Sequence, residues 1–255
     1  MGAARAAGPQ APDFGPLAES YDRLRPVDSN WWEVFELLVR EGDLAGRRVL
    51  DVGCGTGRLA TALAERGSRV WGVDPSDEML RQARAVAGNR VGLKHGRAEE
   101  LPFKDAWFER AVLRTVVHLV DRPRALPELA RVVAPGGRAV IATFAPEHFG
   151  SYWLGAFFPE LLEIDRARFP TGDELADELS AAAFDPIHTH RLSQRGSLAR
   201  EDAVERIRGR YISTLRLLDD QSFARGLAEA ERGLPESVAF TIEWIVLVAE
   251  RAGRQ

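Results

Sequence analysis

VLDVGCGTG, residues Val49 to Gly57, is a short apolar run that ends near an acid and then carries glycine at every second position. Val49, Leu50 and Val52 suit a buried strand, and Arg58 to Arg66 behind the glycines has the composition and spacing of a helix. The stretch reads as strand, glycine-rich loop, helix. Without a Cβ, Gly53, Gly55 and Gly57 let the backbone turn sharply, press against a ligand and offer N–H groups at a helix N-terminus. The spacing is G-x-G-x-G; Arg58 stands where the dinucleotide fingerprint has its third glycine, and no Gly-Lys-Ser/Thr follows for a P-loop. What remains fits a ligand with a nucleoside but no phosphate. Asp51 would repel a pyrophosphate, yet it can accept hydrogen bonds from an ammonium group or its bound water. An ordinary glycine-rich turn in another α/β protein would look the same locally, so the rest of the chain must decide.

Outward from this loop, strands and helices alternate. Arg48 to Val52 is the first strand, Arg69 to Val73 the second, Val91 to His95 the third, and Arg110 to Leu113 lies in a fourth. A helix opens with Pro75 and Ser76, another covers Pro123 to Val133, and Pro135-Gly136-Gly137 turns into a fifth strand over Arg138 to Phe144. Before them, WWEVFELLVREG places Trp32, Phe35, Leu38 and Val39 near one helical face. Such alternation predicts a mostly parallel, doubly wound sheet with ligands at the carboxyl ends of its strands. Asp74 sits at such an end, where an acid accepts ribose hydroxyls; helix capping is the alternative.

After the fifth strand the regularity lapses. Residues 146–170 are rich in aromatics, Asp173 to Ala183 resumes as a helix, and Ile187 to Ser193 alternates as a strand. Ala199 to Leu218 and Ser222 to Gly233 read as helices, and Val238 to Ala249 as a long last strand. The division expected is a flexible tail at 1–16 and a single domain at 17–255, with a core at 17–145 and cap insertions at 146–170 and 199–233.

The 255 residues, 45% of them hydrophobic, suffice for one generous domain. A net charge of −4 with acids and bases interspersed argues against a nucleic-acid surface and favours small-molecule chemistry. Cys54 is the sole cysteine, which excludes an intrachain disulfide and a cysteine-based metal cluster and suits a reducing cytoplasm. No apolar run is long enough for a membrane span. His188 and His190 share a strand face, but no nearby acid or cysteine completes a ligand set, so no metal is expected.

The pattern D-x-G-x-G-x-G at Asp51 to Gly57, Asp74, HGRAEELPF from His95, and DAWFERAVLRTVVHLVDRPRALPELARVVAPGGRAVIATF from Asp105 together resemble the class I S-adenosylmethionine (SAM) dependent methyltransferases. The resemblance spans residues 17–145 and points to the small-molecule group that includes the ubiquinone and menaquinone biosynthetic enzymes. It implies a Rossmann-like α/β fold: a seven-stranded mixed sheet with helices on both faces, an antiparallel last strand and a helical cap. It also implies that Asp51, Gly53, Gly55 and Gly57 hold the methionine part of SAM, that Asp74, followed by Pro75, binds the ribose, and that Met79 packs on adenine. Ala98 and Glu99 would meet the adenine edge, and Arg114 and Thr115 would face the sulfonium. Tyr21 and Arg25, in a YDxxRP pattern, would cover the methionine end. Relatives often carry an aspartate where this chain has Arg97, and Glu99 or a backbone carbonyl would then serve the adenine amino group.

Methyl transfer from a sulfonium is an in-line displacement, so alignment and exclusion of water matter most. His118 has the titration range of a base for a hydroxyl or acidic carbon, with a structural role as its alternative, and His148 is a second candidate. Tyr152, Trp153, Phe157 and Tyr211 suit a planar or lipophilic acceptor, with packing as their alternative. The expectation is an enzyme that binds SAM, releases S-adenosylhomocysteine and methylates oxygen or carbon of a small, partly apolar metabolite, as a monomer or homodimer. A non-catalytic SAM-binding regulator and a macromolecule methyltransferase are the alternatives.

Overall fold

The structure, a computed structural model, describes residues 12–253. In chain order the elements are α1 (Tyr21–Leu24), α2 (Ser29–Gly42), β1 (Arg48–Val52), α3 (Arg58–Glu65), β2 (Arg69–Asp74), α4 (Asp77–Ala87), β3 (Val91–His95) and β4 (Phe108–Arg114). They continue with α5 (Arg122–Val132), β5 (Val133–Phe144), α6 (Glu160–Arg168), α7 (Gly172–Ala181), β6 (Phe184–Ala199), α8 (Arg200–Arg208), α9 (Asp220–Gly233) and β7 (Ser237–Arg251).

The strands form one seven-stranded sheet in the order β3-β2-β1-β4-β5-β7-β6. The first five run parallel, β7 is antiparallel to β5, and β6 is antiparallel to β7. The expected mixed sheet with an antiparallel last strand is present. Strand order reverses at β1, which pairs with β2 on one side and β4 on the other, and a crevice opens beyond the carboxyl ends there.

Alternation along the strands builds two cores. Leu50, Ala111, Ile141 and Leu247 face a layer with Leu126 and Leu129 of α5 and Leu175 and Leu179 of α7. Their neighbours Val49, Val112, Val140 and Val246 face the other layer with Phe35, Leu38 and Leu63. The side-chain period of two is what commits each strand to both layers. Asp28, Ser76, Thr171 and Asp219 accept from backbone N–H groups at the starts of α2, α4, α7 and α9, and Thr171 with Glu174 completes a capping box. A third cluster, Leu154, Phe158, Leu161, Ile207, Leu215 and Ala230 among its members, gives the cap its own core.

Three expectations need revision. Residues 1–11 of the expected tail lie outside the described residues, but residues 12–16 are not tail-like: Gly15–Leu17 forms a 3-10 helix, and Gly15 N donates to Asp13 Oδ1 at 2.8 Å. The carbonyl of Asp13 also accepts from Arg216 Nε at 3.1 Å, which ties this segment to the cap. β6 is far longer than residues 187–193, because its second half keeps pairing with β7 as far as Ala199↔Ser237. The helix expected over 199–218 stops at Arg208: Gly209 follows, and Arg210 adopts a positive φ of 46°. Among the described residues, no helix is long and apolar enough to cross a membrane.

Candidate functional site

The crevice widens into a cavity of about 390 Å³ between the sheet and the cap. Its sheet-side wall comes from the carboxyl ends of β1, β2 and β4 and the turns that follow, including Gly53, Gly55, Asp74, Arg114 and Thr115. All three loop glycines have positive φ, at 70°, 54° and 78° for Gly53, Gly55 and Gly57. They differ in what surrounds them. A Cβ at Gly53 would lie 2.5 Å from Val116 Cγ2, while one at Gly55 would meet nothing within 4 Å and point into open space. Gly57 is not on the cavity; a Cβ there would lie 2.9 Å from Ala83 Cβ, so this glycine serves the packing of α3 on α4.

Asp74 is fixed by its own loop: Oδ2 accepts from Gly55 N and Oδ1 from Ser76 N, both at 2.9 Å. Burial raises its pKa, opposed by those two N–H donors. Pro75 and Met79 line the cavity beside it, as do Ala98 and Glu99 across from them. Glu99 is committed on one side, since its Oε1 accepts from Asp121 N at 2.9 Å and Arg97 lies 3.5 Å from Oε2.

Asp51 lies behind the cavity wall rather than on it, at 2% exposure. Its Oδ2 has no hydrogen-bond partner among the described residues. Burial and the charge of Asp74 push its pKa up to about 7, against the pull of Arg114. Arg114 lines the cavity with its guanidinium 5.1 Å over Trp31 and 5.6 Å over Trp244, and its Nε is likewise unpaired. Burial lowers its pKa to about 10. Tyr21 and Arg25 close this end, with Arg25 Nε donating to Tyr211 O at 2.7 Å and Nη1 to Tyr21 Oη at 3.2 Å.

An orphaned carboxylate oxygen behind the loop, an orphaned guanidinium nitrogen beside it, and open space over Gly55 fit an amino-acid-bearing nucleoside. The matching of known proteins agrees. A family model described as a methyltransferase domain matches residues 50–141. An O-methyltransferase of Aspergillus sclerotiorum is 30% identical over 205 residues, covering 69% of this chain and 77% of that protein. The chain belongs to the class I SAM-dependent methyltransferases. An uncharacterised methyltransferase of Mycobacterium tuberculosis is 45% identical over 125 residues, and there the match spans about half the length of either chain, 49% of each. In fold, the chain is similar to the crystal structure of a putative methyltransferase from an antibiotic biosynthesis pathway of Anabaena variabilis, with a TM-score of 0.66 at 23% identity, covering 88% of this chain and 98% of that one.

The far end of the cavity is built by the cap. His118 lines it, buried and stacked on Phe169 with ring centroids 3.9 Å apart. Its Nδ1 has no partner among the described residues, and burial, aided by Arg168 and Arg25, holds its pKa well below the usual histidine value. His148 also lines the cavity, and burial takes its pKa to about 4. Tyr152 lines it too and shares a 3.1 Å hydrogen bond with the hydroxyl of Tyr211. Trp153, Phe157 and Tyr211 do not line the cavity; they pack against the cap core. An aromatic-rich sequence does not reveal which rings face inward, because 3-10 turns at 146–150 and 153–156 break the period that would tell.

Several lining residues were invisible in the sequence. Pro12, Asp13 and Phe14 reach the cavity from the N-terminal segment. Asp165 of α6 and Thr214 come together from 49 positions apart, with Arg168 and Ser213 beside them, and no motif links them. His190 does have an acid nearby in space, Glu41 at 3.6 Å, although among the described residues no group of three or more metal-ligating side chains is assembled.

Proposed function

We propose that this chain methylates a small, partly apolar molecule, with SAM held at the sheet end of the cavity and the acceptor under the cap. The observation that carries the reading is the unpaired, buried Oδ2 of Asp51 behind a glycine loop that leaves open space at Gly55. When bound, SAM supplies a methyl group activated on a sulfonium. Asp74, already oriented by Gly55 and Ser76, keeps lone pairs free for ribose hydroxyls. Met79 and Ala98 offer apolar surface to the adenine, with Pro75 and Glu99 at its margin. Asp51 offsets the ammonium group. Arg114 is better matched to the methionine carboxylate than to the sulfonium, because a guanidinium beside a second cation is repulsive; Tyr21 and Arg25 complete that end.

The aromatic cap excludes water and aligns the acceptor for in-line displacement, which needs no covalent intermediate. His118 and His148, neutral at physiological pH, serve the acceptor as hydrogen-bonding groups, with Tyr152 alongside. Relatives named as O-methyltransferases support an oxygen acceptor over carbon or nitrogen. The cavity's continuation under the cap, lined by His118, His148, Tyr152 and Asp165, supports an enzyme over a regulator that only binds SAM. The working form proposed is a cytoplasmic monomer or homodimer.

Calorimetric titration with SAM, S-adenosylhomocysteine and NAD tests the reading. SAM and S-adenosylhomocysteine should bind and NAD should not; binding of NAD alone would defeat it.

A further inference from the structure

The cap carries a buried acid that no cofactor contact uses. Asp165 of α6 is 3% exposed and lines the cavity. Its Oδ1 is tied back: it accepts from Thr214 Oγ1 and lies 3.8 Å from Arg168 Nη1. Arg168 in turn donates to Thr214 Oγ1 at 3.2 Å and to Ser213 Oγ at 3.1 Å. The carboxylate is thus held in one orientation by two elements, while Oδ2 accepts no hydrogen bond among the described residues.

A carboxylate anchored through one oxygen on a cavity wall presents the other to whatever fills the cavity. The surroundings limit what that is. Phe144, Phe149, Phe169 and Tyr152 make this end largely aromatic. Arg168 lies against Asp165 and Arg25 lines the same cavity, and these two guanidiniums disfavour a cationic amine here. A carboxylate acceptor would set two anions against each other at Asp165. A neutral hydroxyl on a flat apolar body satisfies both limits: it gives its hydrogen to Oδ2, and the nearby guanidiniums favour the oxyanion that forms.

Resting on the SAM-dependent reading above, we propose that Asp165 is the catalytic residue that binds and deprotonates the acceptor, and that the acceptor is of the phenol class. The acceptor oxygen forms its bond to the methyl carbon as the carbon–sulfur bond breaks, and that electron pair stays on sulfur as a neutral thioether. The hydroxyl proton passes to Oδ2 and leaves to water with the methyl ether. Asp165 is better suited to this than His118: burial raises its pKa to about 6, nearer to working pH than the histidine's, which burial drives well below its usual value.

The test is binding by the full chain saturated with S-adenosylhomocysteine, using three probes of one shape: 2-naphthol, 2-naphthoate and 2-naphthylmethylammonium. The naphthol should bind about tenfold or more tighter than either ion, and Asp165→Asn should weaken it about tenfold with S-adenosylhomocysteine affinity unchanged. Tightest binding of naphthoate or of the ammonium probe, equal naphthol affinity in Asp165→Asn, or no probe binding to the loaded protein would overturn the proposal. The order of the three probes on the wild-type protein needs no variant, so a poorly folding Asp165→Asn does not rescue the idea. If S-adenosylhomocysteine itself fails to bind, the cofactor reading falls first.

Discussion

The two ends of the cavity are made by different means. At the sheet end the chain uses strand ends and the turns that follow them: Gly53 and Gly55 after β1, Asp74 at the end of β2, Arg114 at the end of β4. Backbone N–H groups fix Asp74, and the main chain does much of the shaping. At the cap end the lining comes from α6 and the turn at Ser213–Thr214, held by side chains such as Asp165, Arg168 and Tyr152. A backbone-built end tolerates little change, whereas a side-chain-built end can be refitted without disturbing the sheet. That division suits a protein in which one half serves a fixed cofactor and the other a particular acceptor.

Gly53→Ala should break the first half hardest. The new Cβ would combine a positive φ of 70° with a 2.5 Å approach to Val116, so a loss of about 3 kcal/mol in urea unfolding is expected. SAM binding should be lost with it. Unchanged stability would show that the loop is not rigidly specified.

Asp51 offers a test with the opposite sign. Its pKa of about 7 in the folded chain lies above the ordinary carboxylate value, so its contribution to stability is whole at low pH and is lost as pH rises through 7. Asp51→Asn should therefore stabilise the ligand-free protein at pH 8, by on the order of 2 to 4 kcal/mol, and have little effect near pH 4. Thermal unfolding at both pH values checks it. The same variant should weaken SAM, because the ammonium loses its counter-charge.

Smaller effects separate the two ends. Asp74→Ala should cost about 1 to 3 kcal/mol of SAM affinity by calorimetry, since it leaves ribose hydroxyls unpaired. Phe157→Leu, packed against the cap core rather than on the cavity, should cost about 1 kcal/mol of stability and leave SAM affinity unchanged. A large drop in SAM affinity from Phe157→Leu would mean that the cap and the cofactor end are coupled rather than independent.

By itself the sequence determined the alternation of strands and helices, the glycine loop and the acid at the end of β2, because period, turn chemistry and loop spacing are local properties. The resemblance carried by VLDVGCGTG and the segments after it extended this to the sheet's strand count and its antiparallel last strand. Tertiary structure alone decided the rest. It showed that Gly57 packs against Ala83 rather than facing the cavity, and that Asp51 lies behind the wall. It packed Trp153, Phe157 and Tyr211 against the cap core, and it joined Asp165 to Thr214 and Arg168. The physical reason is the same in each case: whether a side chain meets a ligand or a neighbouring helix depends on contacts between segments far apart in the chain, and no local pattern records them.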